Sequence, residues 1–348
     1  MRNTSIDIPT LVRIKPGALD RLGVYARRSR FQHAALFITR DLDPGLVARV
    51  DKALAVQDIK AALKVEVLAS TFEHAQEVFM DFPSSVDVII GIGGGKALDV
   101  AKYVSFLARL PYIAVPTSLS NDGFCSPQSS LELKAKRRSF PSAMPYGVVV
   151  DTRVCLDAPR ILWLAGVGDC VAKITSVYDW KLAFKVKGTQ INDFAALLSD
   201  ATVFQLMARP EHDLEGIRLL ATALMESGIA MGICGSSRPA SGSEHLISHA
   251  LDLAGKKPRL HGLQVGVATY MVSQLQGRGA ERIASLFELT GFWSAVREDP
   301  FIRAEWLEAF RLAPLVKNDF YTILSEPGRV EALAEILDND PRLKGVFV

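Results

Sequence analysis

Val86-Asp-Val-Ile-Ile90 runs directly into Gly91-Ile-Gly-Gly-Gly95, and Lys96–Leu107 follows with apolar residues at Leu98, Ala101, Val104 and Phe106. No other stretch constrains the fold as much. A short apolar strand, a glycine run and an amphipathic helix in that order form the repeating unit of a parallel sheet with crossover helices. Without side chains, the backbone N–H groups of the glycines can approach an anion, and the start of the following helix favours negative charge. Gly93, Gly94, Gly95, Lys96 and Ala97 are therefore a candidate phosphate cradle, the alternative being a tight turn with no ligand. Two familiar loops are excluded by counting. A Walker A loop needs Gly where Ile90 stands and Ser or Thr where Ala97 stands, and Lys96 occupies the third glycine position of the dinucleotide fingerprint G-x-G-x-x-G.

The same alternation extends over the first half. Strands are expected at residues 34–39, 65–68, 86–90, 112–115 and 146–150, and helices at 46–57, 72–79 and 96–107. The basic stretch Lys134–Arg138 reads as a solvated hairpin or loop rather than a nucleic-acid site. Beyond residue 160 the pattern turns to amphipathic helices at 169–185, 191–207, 215–233, around Glu244, and at 264–276, 281–290 and 302–313. The expected organisation is an α/β Rossmann-like parallel-sheet domain over residues 1–158, followed by an all-helical domain over 159–348.

Within the helical half, Ser236–Gly262 collects three of the chain's 6 histidines. His245 and His249 are four apart in a helical pattern, so both rings leave one face, and His261 can fold back onto that face past the turn signals Gly255 and Pro258. One imidazole alone is more often a surface or core residue, whereas three gathered together suggest a metal and a proton to be moved.

Composition narrows the classes. Lys and Arg number 40 against 38 acids, which leaves no charge argument for nucleic acid or an anionic membrane. The four cysteines, at 125, 155, 170 and 234, include no C-x-x-C pair and fit reduced thiols, with Cys170 beside Asp169 weighed as a soft ligand or a buried thiol. The N-terminus has no apolar leader pattern and no apolar run is expected to span a membrane, so the reading is a soluble, cytoplasmic protein acting on a small molecule. Homo-oligomerisation is left open.

Gly91-Ile-Gly-Gly-Gly-Lys-Ala-Leu-Asp-Val-Ala-Lys102, Pro116-Thr-Ser-Leu-Ser-Asn-Asp-Gly-Phe-Cys-Ser-Pro127, Gly166-Val-Gly-Asp169, Arg238-Pro-Ala-Ser-Gly-Ser-Glu-His245 and Leu260-His-Gly262 together resemble the sn-glycerol-1-phosphate dehydrogenases. These belong to the superfamily of iron-containing alcohol dehydrogenases and dehydroquinate synthases. The motifs fall in the family's order over about residues 10–270, with a weaker echo at Tyr321-Thr-Ile-Leu324. The resemblance implies a dehydroquinate synthase-like fold and a metal-dependent, NAD- or NADP-linked reduction of dihydroxyacetone phosphate to sn-glycerol 1-phosphate. It implies Asp169, His245 and His261 as metal ligands, suited to zinc with iron or nickel as alternatives. It also implies Asp122 and His249 as catalytic and substrate-contacting residues, with Asp169 touching the substrate too. Gly93–Ala97 would form the pyrophosphate loop, and Thr117, Ser118, Leu119, Ser120 and Ser126 would line the nicotinamide half. Asp99 and Lys102 complete the glycine-loop pattern as support.

Asn121 departs from the His most members of this branch carry before Asp122. Lys256, Lys257 and Arg259 are candidates to supply a phosphate pocket, against a plain solvated turn. Arg40 and Asp41, side by side after the 34–39 strand, argue in opposite directions on NADP against NAD. The rival functions are a glycerol or other polyol dehydrogenase, a dehydroquinate synthase-like cyclase, whose first ligand is usually Glu rather than Asp, and an inactive relative kept as a binding protein.

Overall fold

The computed structural model describes residues 7–134, 136–255 and 259–348. Its strands are β1 (Leu11–Lys15), β2 (His33–Thr39), β3 (Lys60–Val67), β4 (Val88–Gly93), β5 (Tyr112–Pro116), β6 (Gln128–Leu133), β7 (Lys136–Pro141) and β8 (Gly147–Asp151). Six of them form a sheet in the order β1-β8-β5-β4-β2-β3, with every pairing parallel. β4, β5 and β8 are buried at every residue, as strands covered by helices on both faces must be. Successive residues feed opposite faces: Ile89 and Val148 belong to one apolar cluster, Ile90 and Val149 to the other.

The basic stretch expected as a hairpin is one. β6 and β7 pair antiparallel across a turn in which Lys134 takes a left-handed φ of 51°. Two strands of the large sheet differ from the sequence reading. β1 is a five-residue edge strand whose partner β8 lies far along the chain, and β3 starts at Lys60 rather than residue 65. β3 is also an edge strand, so its first residues face solvent and carry no apolar signature.

From Thr152 onward the described chain is helical. The expected helix 169–185 is in fact two, Arg160–Val171 and Lys173–Lys187, meeting at Ala172, so Asp169 lies in the last turn of the first. Helices Phe292–Glu298 and Arg329–Asn339 are additional to those expected. Against the expectation of no span-length apolar run, Arg160–Lys187 and Leu214–Cys234 have the length and composition to cross a membrane. They are largely buried inside this fold, the first more completely than the second.

Candidate active site and metal centre

Three glycines bring the site together. A Cβ on Gly168 would lie 2.0 Å from the carbonyl oxygen of Gly262, and one on Gly262 would lie 1.9 Å from that of Ala165. Helix Arg160–Val171 therefore meets helix His261–Leu275 backbone to backbone, which sets Asp169 beside His261. Gly166 does the same for the loop after β5, since its Cβ would lie 2.1 Å from the Leu119 carbonyl oxygen. Asp122 follows in that loop, and its N–H donates to Asp169 Oδ2 at 3.1 Å.

His245 and His249 project from helix Ser243–Ala254 with ring centroids 6.4 Å apart; His261 lies 5.2 Å from the first and 5.9 Å from the second. Asp169 Oδ1 is buried, has no hydrogen-bond partner, and faces His245 Nε2 at 3.5 Å and His261 Nε2 at 3.9 Å. Ligand atoms at ~2.05 Å from a tetrahedral cation are about 3.3 Å apart, so this trio is close to a metal's spacing. It is also the one such His/Cys/Asp/Glu cluster among the described residues. The far side of each ring is occupied. His245 Nδ1 donates to Glu244 Oε1 at 2.9 Å, and Glu244, fully buried, also accepts from the Gly242 N–H and the Thr175 hydroxyl. Ser248 Oγ gives its proton to Gln264 Oε1 at 2.8 Å and so accepts from His261 Nδ1 at 3.0 Å. Both Nε2 lone pairs are thereby left for the centre.

Charge follows the same geometry. Burial opposes the charge on Asp169, but the Lys173 ammonium and the two imidazoles outweigh it and hold the carboxyl well below its usual range. Lys173 is wholly buried, 3.2 Å from Asp122 Oδ2 and 3.4 Å from Asp169 Oδ2; burial alone would lower it, and the two carboxylates raise it instead. Asp122 Oδ2 further accepts from Ser227 Oγ at 2.7 Å. Burial, then His245, pushes His261 down to about 3; burial, then Lys317, keeps His249 well below its ordinary value. Both rings are neutral at neutral pH.

The remaining expectations are placed as follows. Gly93, at φ +127°, would put a Cβ 2.1 Å from Thr39 Oγ1, while Gly94 and Gly95 face open space at the start of helix Gly95–Ala108. Lys96 and Ala97 occupy that helix's first turn, with Ala97 buried. The Thr117 N–H donates to the Gly93 carbonyl at 3.1 Å, so the Thr117–Ser120 loop borders the glycines, with Leu119 buried between its partly exposed neighbours. Ser126 is buried, its hydroxyl 3.1 Å from the Gln128 carbonyl and 3.4 Å from Lys102 Nζ. Lys102 also lies 3.3 Å from Asp99, in keeping with a supporting role for that pair. Asn121 spends its side-chain oxygen on the Gly123 N–H at 2.9 Å, capping the turn that carries Asp122. The Cys170 thiol faces the Thr202 carbonyl and is pushed up to about 12 by burial, which makes it a core group and not a ligand. Arg259 is spent on Asp299 and the Pro300 carbonyl; Lys256 and Lys257 lie outside the described residues.

Residues 13–159 match the family model described as iron-containing alcohol dehydrogenase. The glycerol-1-phosphate dehydrogenase (NAD(P)+) of Aeropyrum pernix is 35% identical over 339 residues, covering 95% of this chain and 96% of that protein. The enzyme of the same name from Pyrococcus horikoshii is 40% identical over 314 residues, 84% of this chain and 88% of that one. The chain belongs to the glycerol-1-phosphate dehydrogenase family. Its fold is shared by glycerol dehydrogenase from Schizosaccharomyces pombe, with a TM-score of 0.76 at 18% identity over 99% of this chain and 92% of that one.

Four residues of this family member's site were not singled out from sequence: Lys173, Ser227, Glu244 and Ser248. Two of them had a signal. Lys173 is one helical turn from Asp169, and Glu244 adjoins His245, but nothing in the sequence shows that their partners are Asp122 and Thr175. Ser227 reaches Asp122 across 105 residues and carried no signal.

Proposed function

We propose that this chain reduces dihydroxyacetone phosphate to sn-glycerol 1-phosphate with NADH or NADPH, at one divalent cation, zinc, held by Asp169, His245 and His261. The observation that carries the reading is the partnerless, buried Asp169 Oδ1 aimed at two imidazole nitrogens, beside a neutral His249 and a fixed Asp122. The names of the relatives supply the substrate. An acid with two imidazoles is a donor set that zinc accepts with positions to spare for substrate oxygen.

When bound, the cation would polarise the ketone oxygen and the nicotinamide would supply hydride to the carbonyl carbon. This chain's own residues do the rest. Asp122, pinned by Lys173 and Ser227, accepts a hydrogen bond from the substrate hydroxyl and fixes its orientation. His249, neutral because it is buried among cations, takes the proton from the alcohol in oxidation and returns it in reduction. Substrate would meet Asp169 on its Oδ1 side, since Oδ2 holds the Asp122 N–H. In this reading residues 1–158 bind the dinucleotide, through Gly93–Ala97, Thr117–Ser120 and Ser126, and residues 159–348 carry the metal.

The test is steady-state NAD(P)H oxidation on zinc-loaded protein with dihydroxyacetone phosphate beside bare dihydroxyacetone. A kcat/KM for the phosphorylated ketone well above that for the bare one is expected. Equal values would leave a polyol dehydrogenase, and phosphate release without net NAD(P)H consumption would indicate a cyclase.

A further inference from the structure

A phosphorylated substrate brings a dianion into a site whose placed residues give it no seat. Asp122 and Asp169 are acids, and Arg259 is committed to Asp299. The surroundings of His249 differ. The permanent cations whose charge bears most on its ring are Lys317 and Arg137. Lys317 follows the short turn Ala313–Leu315, which packs on the His249 helix. Its half-buried ammonium has a hydrogen bond to Ser237 Oγ at 3.3 Å and lies 4.6 Å from the Phe320 ring, but makes no ion pair among the described residues. Arg238 stacks on the same ring at 3.7 Å and donates to the Tyr321 and Asp319 carbonyls, so two cations lie against one aromatic ring, neither with an ion pair among the described residues. The strain shows in Lys317, which burial and then Arg238 push down to about 8. Glu244 is the one acid that favours its charge, and Glu244 is committed to His245, Gly242 and Thr175.

We propose that Lys317 receives the phosphomonoester group of the substrate and is the residue by which this site separates a phosphorylated ketone from a bare one. The proposal rests on the substrate reading above. It assigns the anion to the wall behind His249, formed by the C-terminal segment just before the Tyr321-Thr-Ile-Leu324 echo, and not to the 256–259 turn. An ammonium that is already partly desolvated gains a charge-assisted hydrogen bond to phosphate at reduced further cost.

Lys317→Met keeps the aliphatic stem and removes the charge, and Lys317→Arg restores it. On zinc-loaded protein, Lys317→Met is expected to lower kcat/KM for dihydroxyacetone phosphate by about 10- to 100-fold, mainly through KM, and at least tenfold more than for bare dihydroxyacetone. Lys317→Arg should recover most of the loss. Inorganic phosphate should compete with the phosphorylated ketone in the parent and correspondingly more weakly in Lys317→Met. Equal losses for both ketones would make Lys317 a packing residue and overturn the assignment. A preference that survives in Lys317→Met but disappears in Arg137→Ala would overturn it in favour of the β6–β7 hairpin. A parent with no preference for the phosphorylated ketone would overturn the substrate reading itself, and this assignment with it.

Discussion

At the Asp169–His245–His261 cluster every candidate ligand is backed by another buried side chain: Lys173 behind the carboxylate, Glu244 behind one imidazole, Ser248 behind the other. At the glycine loop, Gly94 and Gly95 have nothing within 4 Å of where a Cβ would stand, and the Gly94 N–H is steadied by Thr39 Oγ1 at 2.9 Å. The proposed metal centre depends on the side chains it has, the proposed cofactor loop on those it lacks. The centre can therefore be weakened in graded steps through its supports, whereas the loop should respond to a single added methyl or isopropyl group in one of two ways. Where the Cβ meets protein the fold suffers, and where it meets open space the ligand suffers.

The largest effect expected is from removing both imidazole ligands. His245→Ala with His261→Ala should abolish metal retention and lower turnover by at least about a thousandfold while circular dichroism stays near that of the parent. Full metal content by atomic emission would move the centre elsewhere. A smaller loss separates the ligands from their supports. Glu244→Gln should weaken metal affinity by about 10- to 100-fold in a chelator competition and leave cofactor affinity unchanged; an unaltered metal affinity would make Glu244 a packing residue.

The loop gives the next effect. Gly94→Val should raise the NAD(P)H dissociation constant at least about tenfold with metal content unchanged, whereas Gly93→Ala, at φ +127° and 2.1 Å from Thr39 Oγ1, should lower the melting temperature. Normal cofactor binding by Gly94→Val would reduce the loop to a turn. The smallest effect is a pH slope. Burial, then the neighbouring Glu244, pushes Asp179 up to about 7 from an ordinary 3.8. From about pH 4 the unfolded chain ionises this group while the fold keeps it protonated, so stability falls with rising pH until about 7 and is constant above. Asp179→Asn cannot ionise, and the urea midpoint of the variant relative to the parent should climb between those limits. A flat difference would mean that Asp179 is charged throughout.

How much of this was legible depends on the distance over which each feature is made. The glycine loop is contiguous, and its strand and helix lie where the apolar pattern puts them, within three residues at either end. His245 and His249 share a face because four residues make one turn. Asp169 was placed at the start of a helix and stands at the end of another, since the break at Ala172 leaves the apolar spacing almost unaltered. Asn121, a departure from the family pattern that the motifs resemble, turns out to have its side-chain carbonyl committed to a turn. The Ser227 and Thr175 hydroxyls lie 105 and 69 residues from the acids they serve, and such pairings leave no local trace.

The sequence alone determined the parallel α/β half, the helical half and the gathering of histidines at the candidate centre, because periodicity, glycine runs and imidazole spacing are properties of neighbouring residues. Only the tertiary structure decided which nitrogen of each imidazole faces the Asp169 carboxylate, which lysine neutralises the two acids, and which hydroxyls hold Asp122 and Glu244. These follow from backbones in contact at Gly166, Gly168 and Gly262, a closeness that the absence of a side chain permits but that no pattern of residues announces.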